Sequence, residues 1–153
     1  MMAEQNMQEF IKVLSSKAAV PGGGGACAYV AAAGMALGAM VANLTTGKKK
    51  YAQYQEEIEE LLSKTEQLSK ELMTYMDKDA ESFEPLSKAY GLPKDTKEQQ
   101  EYKDVVMEKA LKEASLTPVA LMEKILEALK ILERLSVVGS RLAISDVGAG
   151  VQL

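Results

Sequence analysis

The sequence predicts an all-α fold: an up-and-down bundle of long helices, with a glycine-rich loop ahead of its central helix. Three observations predict it. Apolar residues recur at steps of three and four over long stretches, as they do along one face of a helix. Proline and glycine gather at a few points between those stretches and punctuate the chain. There is no Asn-Gly or Asp-Gly hairpin pair, and no sustained alternation of period two. With 153 residues, the length prior gives one domain, 1–153, large enough to bury a sizeable core.

The elements follow in order. Met2 to Ser16 places Phe10, Ile11, Val13 and Leu14 on the apolar face of a short amphipathic helix. Ser15 to Gly25 reads as loop, because Pro21 is followed by four glycines, the residues that lose most backbone freedom on ordering. The next helix is expected from about Ala26 to Thr46, ending at Gly47. Its stretch Ala26 to Ala42 carries no charge and falls just short of a membrane span, so it reads as the thin, buried central helix. Gly34 and Gly38, four apart on it, permit close helix approach, within a subunit or across a dimer.

A long helix from about Tyr51 to Phe83 has its stripe at Ile58, Leu61, Leu62, Leu68, Leu72, Tyr75, Met76 and Phe83, with Pro85 near its end. Tyr90-Gly91-Leu92-Pro93 breaks the chain. A helix from Asp95 or Thr96 to Ser115 follows, and Thr117-Pro118 reads as the N-cap and first position of another, to about Leu135.

Composition excludes several functions. A net charge of −4 without a basic stripe gives no reason to expect nucleic acid. The lone Cys27 leaves no disulfide framework and fits a reducing cytosol. One cysteine and no histidine exclude the usual zinc sites and imidazole chemistry, so proton transfer falls to carboxylates, lysines, tyrosines or water. The N-terminus is acidic and amide-rich where a signal peptide would be basic.

Among the carboxylates, Asp79 lies within roughly 20° of Leu72 on the helical wheel, in the middle of the apolar stripe. It reads equally as a proton-transfer group or as a buried aspartate satisfied by a tyrosine, lysine or backbone amide. Asp77 projects away from that face. Asp146 stands among small and apolar neighbours in Ile144-Ser145-Asp146-Val147-Gly148, where a helix N-cap is the commoner role. Lys48, Lys49 and Lys50 complement a helix C-terminus or anchor a ligand's carboxylates. Asn43 closes the apolar run one turn earlier and either binds ligand amides or pairs across the core. The glycine loop follows no strand, and no phosphate-loop motif is present.

Pro21-Gly22-Gly23-Gly24, then Met40-Val41-Ala42-Asn43-Leu44-Thr45 and Gly47-Lys48-Lys49-Lys50-Tyr51, resemble the cyclodeaminase/cyclohydrolase family. This comprises the C-terminal domain of formiminotransferase-cyclodeaminase and the stand-alone methenyltetrahydrofolate cyclohydrolases. Asp77-x-Asp79-Ala80-x-x-Phe83, Leu92-Pro93-Lys94 and Ile144-Ser145-Asp146-Val147-Gly148 are similar to the same family, in the same order, from about Phe10 to Gly150. Gly25 stands where the family commonly has serine, and Gly139-Ser140 where it commonly has Gly-Asn. The family usually continues past the last motif, so the resemblance implies a domain that lacks the family's last helices.

The resemblance implies a cytoplasmic homodimer acting on a one-carbon tetrahydrofolate with one or more glutamates, and needing no metal or cofactor beyond that substrate. The reaction is hydrolysis of 5,10-methenyltetrahydrofolate to 10-formyltetrahydrofolate, or cyclisation of 5-formiminotetrahydrofolate with loss of ammonia. It further implies Asp79 and Asp146 as the carboxylates, Gly22, Gly23, Gly24 and Asn43 as contacts to the pterin or its linker, and Lys48 at the glutamate tail. A non-catalytic helical module that binds folate or dimerises is the alternative, and a ligand-free structural bundle a third.

Overall fold

A computed structural model describes residues 1–153, the side chain of Ala3 excepted. Five α-helices are present: α1 (Met7–Leu14), α2 (Gly23–Thr45), α3 (Gln55–Tyr90), α4 (Lys97–Val138) and α5 (Ile144–Gln152). Short 3₁₀ turns occupy Met2–Glu4, Lys49–Tyr54 and Arg141–Ala143, and no strand occurs among the described residues. The all-α class holds. The chain divides into two compact units, residues 1–26 with 74–121 and residues 27–73 with 122–153.

The first unit buries Phe10, Met76, Leu86, Ala89, Ala110 and Leu121. Asn6 caps α1 by accepting the Glu9 amide at 2.9 Å, which supplies a partner for one of the free amides of the first turn. α1 is shorter than its apolar pattern suggests, and Ile11 is exposed while Phe10 is buried. Its N-terminal strap is tied down by Asp77, whose Oδ1 accepts the Met2 amide at 2.7 Å. α4 begins with a reciprocal cap: Thr96 Oγ1 accepts the Gln99 amide, and Gln99 Oε1 accepts the amides of Thr96 and Asp95.

At two prolines the helices run on where the sequence reading ended or began one. α3 continues through Pro85, and α4 runs unbroken through Pro118. Thr117-Pro118 is not a helix start, because the apolar spacing of α4 carries on across it, from Ala110 to Leu121 and Ala128. The Pro118 ring is exposed, so the helix loses one internal hydrogen bond without burying a clash.

The second unit buries Met35, Val41, Ile58, Leu72, Leu132, Leu135, Val138 and Val147. Gly34 and Gly38 act within this unit. A Cβ on Gly38 would lie 3.0 Å from Leu132 and 3.3 Å from Thr65, and one on Gly34 would lie 2.8 Å from the Gly150 carbonyl oxygen. Small residues thus let α3, α4 and α5 close directly on α2. The Arg134 guanidinium forks onto the Glu57 carboxylate, with Nη2 to Oε2 at 2.8 Å. Lys–Glu pairs one turn apart lie exposed to solvent and add little. A buried Leu or Met adds about 1.5–3 kcal/mol, so the apolar faces hold the helices together. By length and composition α2 could cross a membrane, yet half of its most apolar window is buried inside the fold.

Candidate functional site

In the first unit the glycine segment and Asp79 meet. Gly23, Gly24 and Gly25 are not loop; they form the first turn of α2, and Gly22 accepts the Ala26 amide at 3.1 Å. The entropy cost of ordering them is offset by what that turn touches. Asp79 Oδ2 accepts the Gly25 amide at 3.0 Å. A Cβ on Gly24 would fall on the Asp79 carboxylate, with even the farther oxygen only 2.8 Å away. Glycine is therefore required at position 24 by close approach. At Gly25 the nearest atom to a Cβ would be Pro21 Cβ at 3.5 Å, so a methyl group fits there.

Asp79 is half-buried on α3, and its negative charge sits at the positive end of α2, a favourable arrangement. The backbone amide anticipated as its partner is that of Gly25. Oδ1 has no hydrogen-bond partner among the described residues and packs against Gly24, so the hydrogen bond holds one of the two carboxylate oxygens. Nothing lies within 4 Å of a Cβ on Gly22 or Gly23, which leaves that side of the turn open.

The other three candidates, Asn43, Asp146 and Lys48, belong to the second unit. Asn43 is exposed in an open groove with Met40, Glu66, Ser69 and Lys70; it does not pair across the core. Asp146 is half-buried in the first turn of α5 and is not its cap: Ala143 holds that position, and no side chain caps the turn. The Asp146 carboxylate has no partner among the described residues. Lys48 is exposed, its ammonium 3.5 Å from the Ser140 hydroxyl.

Around Ser140 lies a cluster that motif reading did not single out. The Ser140 amide donates to buried Thr45 Oγ1 at 2.8 Å, and Thr45 donates to the Val41 carbonyl at 2.6 Å. The Tyr51 hydroxyl accepts the Arg141 amide at 3.0 Å. That bond holds the phenol below the usual tyrosine range, opposed by partial burial and helped by Ser140, Lys50 and Lys48. No three metal-ligating side chains converge among the described residues.

The sequence pattern described as formiminotransferase-cyclodeaminase matches residues 6–153. The chain belongs to this family. It is 37% identical to a methenyltetrahydrofolate cyclohydrolase from Methylorubrum extorquens, over 99% of this chain and 73% of that protein. It is 30% identical to the formimidoyltransferase-cyclodeaminase of Sus scrofa, over 92% of this chain and 26% of that longer protein. Among solved structures, the formiminotetrahydrofolate cyclodeaminase from Thermotoga maritima superposes with a TM-score of 0.83 at 29% identity. That match covers 97% of this chain and 71% of the other.

Within this family member, the glycine run and the Asp77-x-Asp79 motif form one unit of structure, joined across 54 positions by the Asp79–Gly25 hydrogen bond. The lysine run and Gly139-Ser140 form another, joined through Lys48 and Ser140. Tyr51 was visible as the last residue of the lysine motif. Its partner amide, 90 positions away, was not.

Proposed function

We propose that the chain is a methenyltetrahydrofolate cyclohydrolase, converting 5,10-methenyltetrahydrofolate and water to 10-formyltetrahydrofolate with release of a proton. The observation that carries this is identity along nearly the whole chain to a protein of that activity. The held carboxylate of Asp79 supplies suitable chemistry. Water adds to the carbon bridging N5 and N10 as Asp79 takes its proton. The carbon–N5 bond then breaks, the proton passes from Asp79 to N5, and the hydroxyl on that carbon loses its proton to become the formyl oxygen. Fixing Oδ2 on the Gly25 amide leaves Oδ1 oriented for both transfers.

We assign Gly22, Gly23 and Gly24 to the pterin or its linker, because the turn is open on that side. Asn43 is a second amide contact. Asp146 supplies negative charge to the cationic methenyl bridge. Lys48 meets the glutamate tail. The proposal includes 1–153 as one catalytic domain in the cytoplasm, active as a homodimer, with tetrahydrofolate as its only organic partner. A second reading, cyclisation of 5-formiminotetrahydrofolate with loss of ammonia, is favoured by the structural match to a cyclodeaminase. It passes through the same tetrahedral carbon and uses the carboxylate as acid toward the leaving amine.

The test follows the methenyltetrahydrofolate absorbance with purified protein against buffer alone, with ammonia release from 5-formiminotetrahydrofolate in parallel. Faster decay with formation of the 10-formyl product supports the cyclohydrolase. Ammonia release alone assigns the cyclodeaminase, and neither activity in a folded, helical protein overturns both.

A further inference from the structure

We propose that the Tyr51 hydroxyl, with Lys48 and Ser140, forms a carboxylate-binding subsite that grips the glutamate end of the substrate, Tyr51 being its specificity-determining residue. This rests on the folate reading above and adds to it a residue and a geometry. Three observations carry it.

The first is uncompensated charge. Many lysines of this chain face a glutamate one turn away, as Lys64 does Glu60, Lys88 Glu84 and Lys112 Glu108. Lys48, Lys49 and Lys50 have no acidic partner among the described residues, and the Lys50 ammonium lies instead 5.6 Å from the centre of the Tyr51 ring. The second is donor geometry. A tyrosine hydroxyl that accepts a backbone amide has its own hydrogen left to donate, and Tyr51 is held in that state by Arg141 at 3.0 Å. The Lys48 ammonium spends at most one hydrogen on Ser140 Oγ, at the long distance of 3.5 Å, and keeps the others for a ligand.

The third is rigidity. The turn that carries Ser140 and Arg141 is pinned by the Ser140 amide on Thr45, and both of those residues are buried. Gly139 before it admits no side chain, since a Cβ would lie 2.5 Å from the Leu135 carbonyl oxygen and 3.0 Å from Val41. Hydroxyl and ammonium donors gathered at a fixed turn, with no acid among them, match an anion with several acceptor oxygens. A carboxylate on a flexible tail fits, and the hydroxyls hold it by direction as well as charge.

The test has two arms. In the first, N-(p-aminobenzoyl)-L-glutamate, which carries the tail without the pterin, is titrated calorimetrically into the wild type, with p-aminobenzoate as the probe lacking glutamate. The proposal expects binding of the first and none of the second, and a dissociation constant raised about tenfold or more in Tyr51→Phe and in Lys48→Met. In the second, methenyltetrahydrofolate turnover by Tyr51→Phe should show a raised KM with kcat within about twofold, since the lost bond is to a part of the substrate that does not react. Tyr51→Phe keeps the ring and so the packing, and its far-ultraviolet circular dichroism should match the wild type.

Equal affinity of the wild type for both probes, or unchanged constants in Tyr51→Phe, overturns the subsite while leaving the folate reading intact if turnover persists. Absent turnover on both folates, with glutamate-dependent binding retained, overturns the enzymatic reading and keeps the subsite.

Discussion

Gly24 and Gly25 are neighbours in the sequence and opposites in the structure. A methyl at Gly24 would occupy the space of the Asp79 carboxylate, whereas one at Gly25 would meet only ordinary contacts. Gly24→Ala is expected to lower stability by about 1–3 kcal/mol through overpacking and to cut turnover by displacing Asp79. Gly25→Ala is expected to raise stability by about 0.4–1 kcal/mol, because its backbone φ is negative and the unfolded chain loses freedom. Urea denaturation of both variants checks the contrast; equal effects would contradict the packing described. That Asp79 faces inward from α3 was legible from the apolar stripe alone. What the stripe could not supply was its partner, because the Gly25 amide is brought to it by tertiary folding. Glycine's intrinsic preference suggested a loop there, and the contact with α3 overrode it.

The helices were legible where a long apolar period ran through them and misread where a local rule competed. The start of α4 was written in Thr96, which takes part in a reciprocal cap with Gln99. Thr117-Pro118 carries the same kind of signal and starts nothing, because burial of Ala110 and Leu121 on one continuous face outweighs one missing hydrogen bond. Two opposite shifts follow. Thr96→Ala should cost about 1 kcal/mol, and Pro118→Ala should add about 1–3 kcal/mol by restoring an interior amide. Thermal unfolding measures both, and a destabilised Pro118→Ala would show that the proline fits a bend the helix needs. The Tyr51–Ser140 cluster was illegible at this scale, since its halves lie at the ends of α2 and α4 and each half reads as an ordinary helix terminus.

The pH response of the whole chain follows from its lack of histidine and from its paired glutamates. Glu57 is held below the ordinary 4.5 by the Arg134 guanidinium, Glu84 by Lys88, and Glu98 by its own amide and Thr96. A carboxylate whose folded pKa is lowered adds stability that is complete above its unfolded value and is lost as the pH falls through the folded one. Stability should therefore be flat from roughly pH 6 to 8, where histidine would otherwise titrate, and should decline below about pH 4.5. A midpoint that moves between pH 6 and 8 would contradict this. The family of the chain was legible as well, because its motifs are collinear even where their spatial partners are hidden. The central claim is that the Asp79 carboxylate moves the proton in one-carbon folate chemistry, and Asp79→Asn tests it most directly. Asparagine keeps an oxygen for the Gly25 amide but cannot accept the proton. Methenyltetrahydrofolate hydrolysis is expected to fall by about 10² or more with helicity and substrate binding retained. Wild-type turnover in a folded Asp79→Asn protein would contradict it.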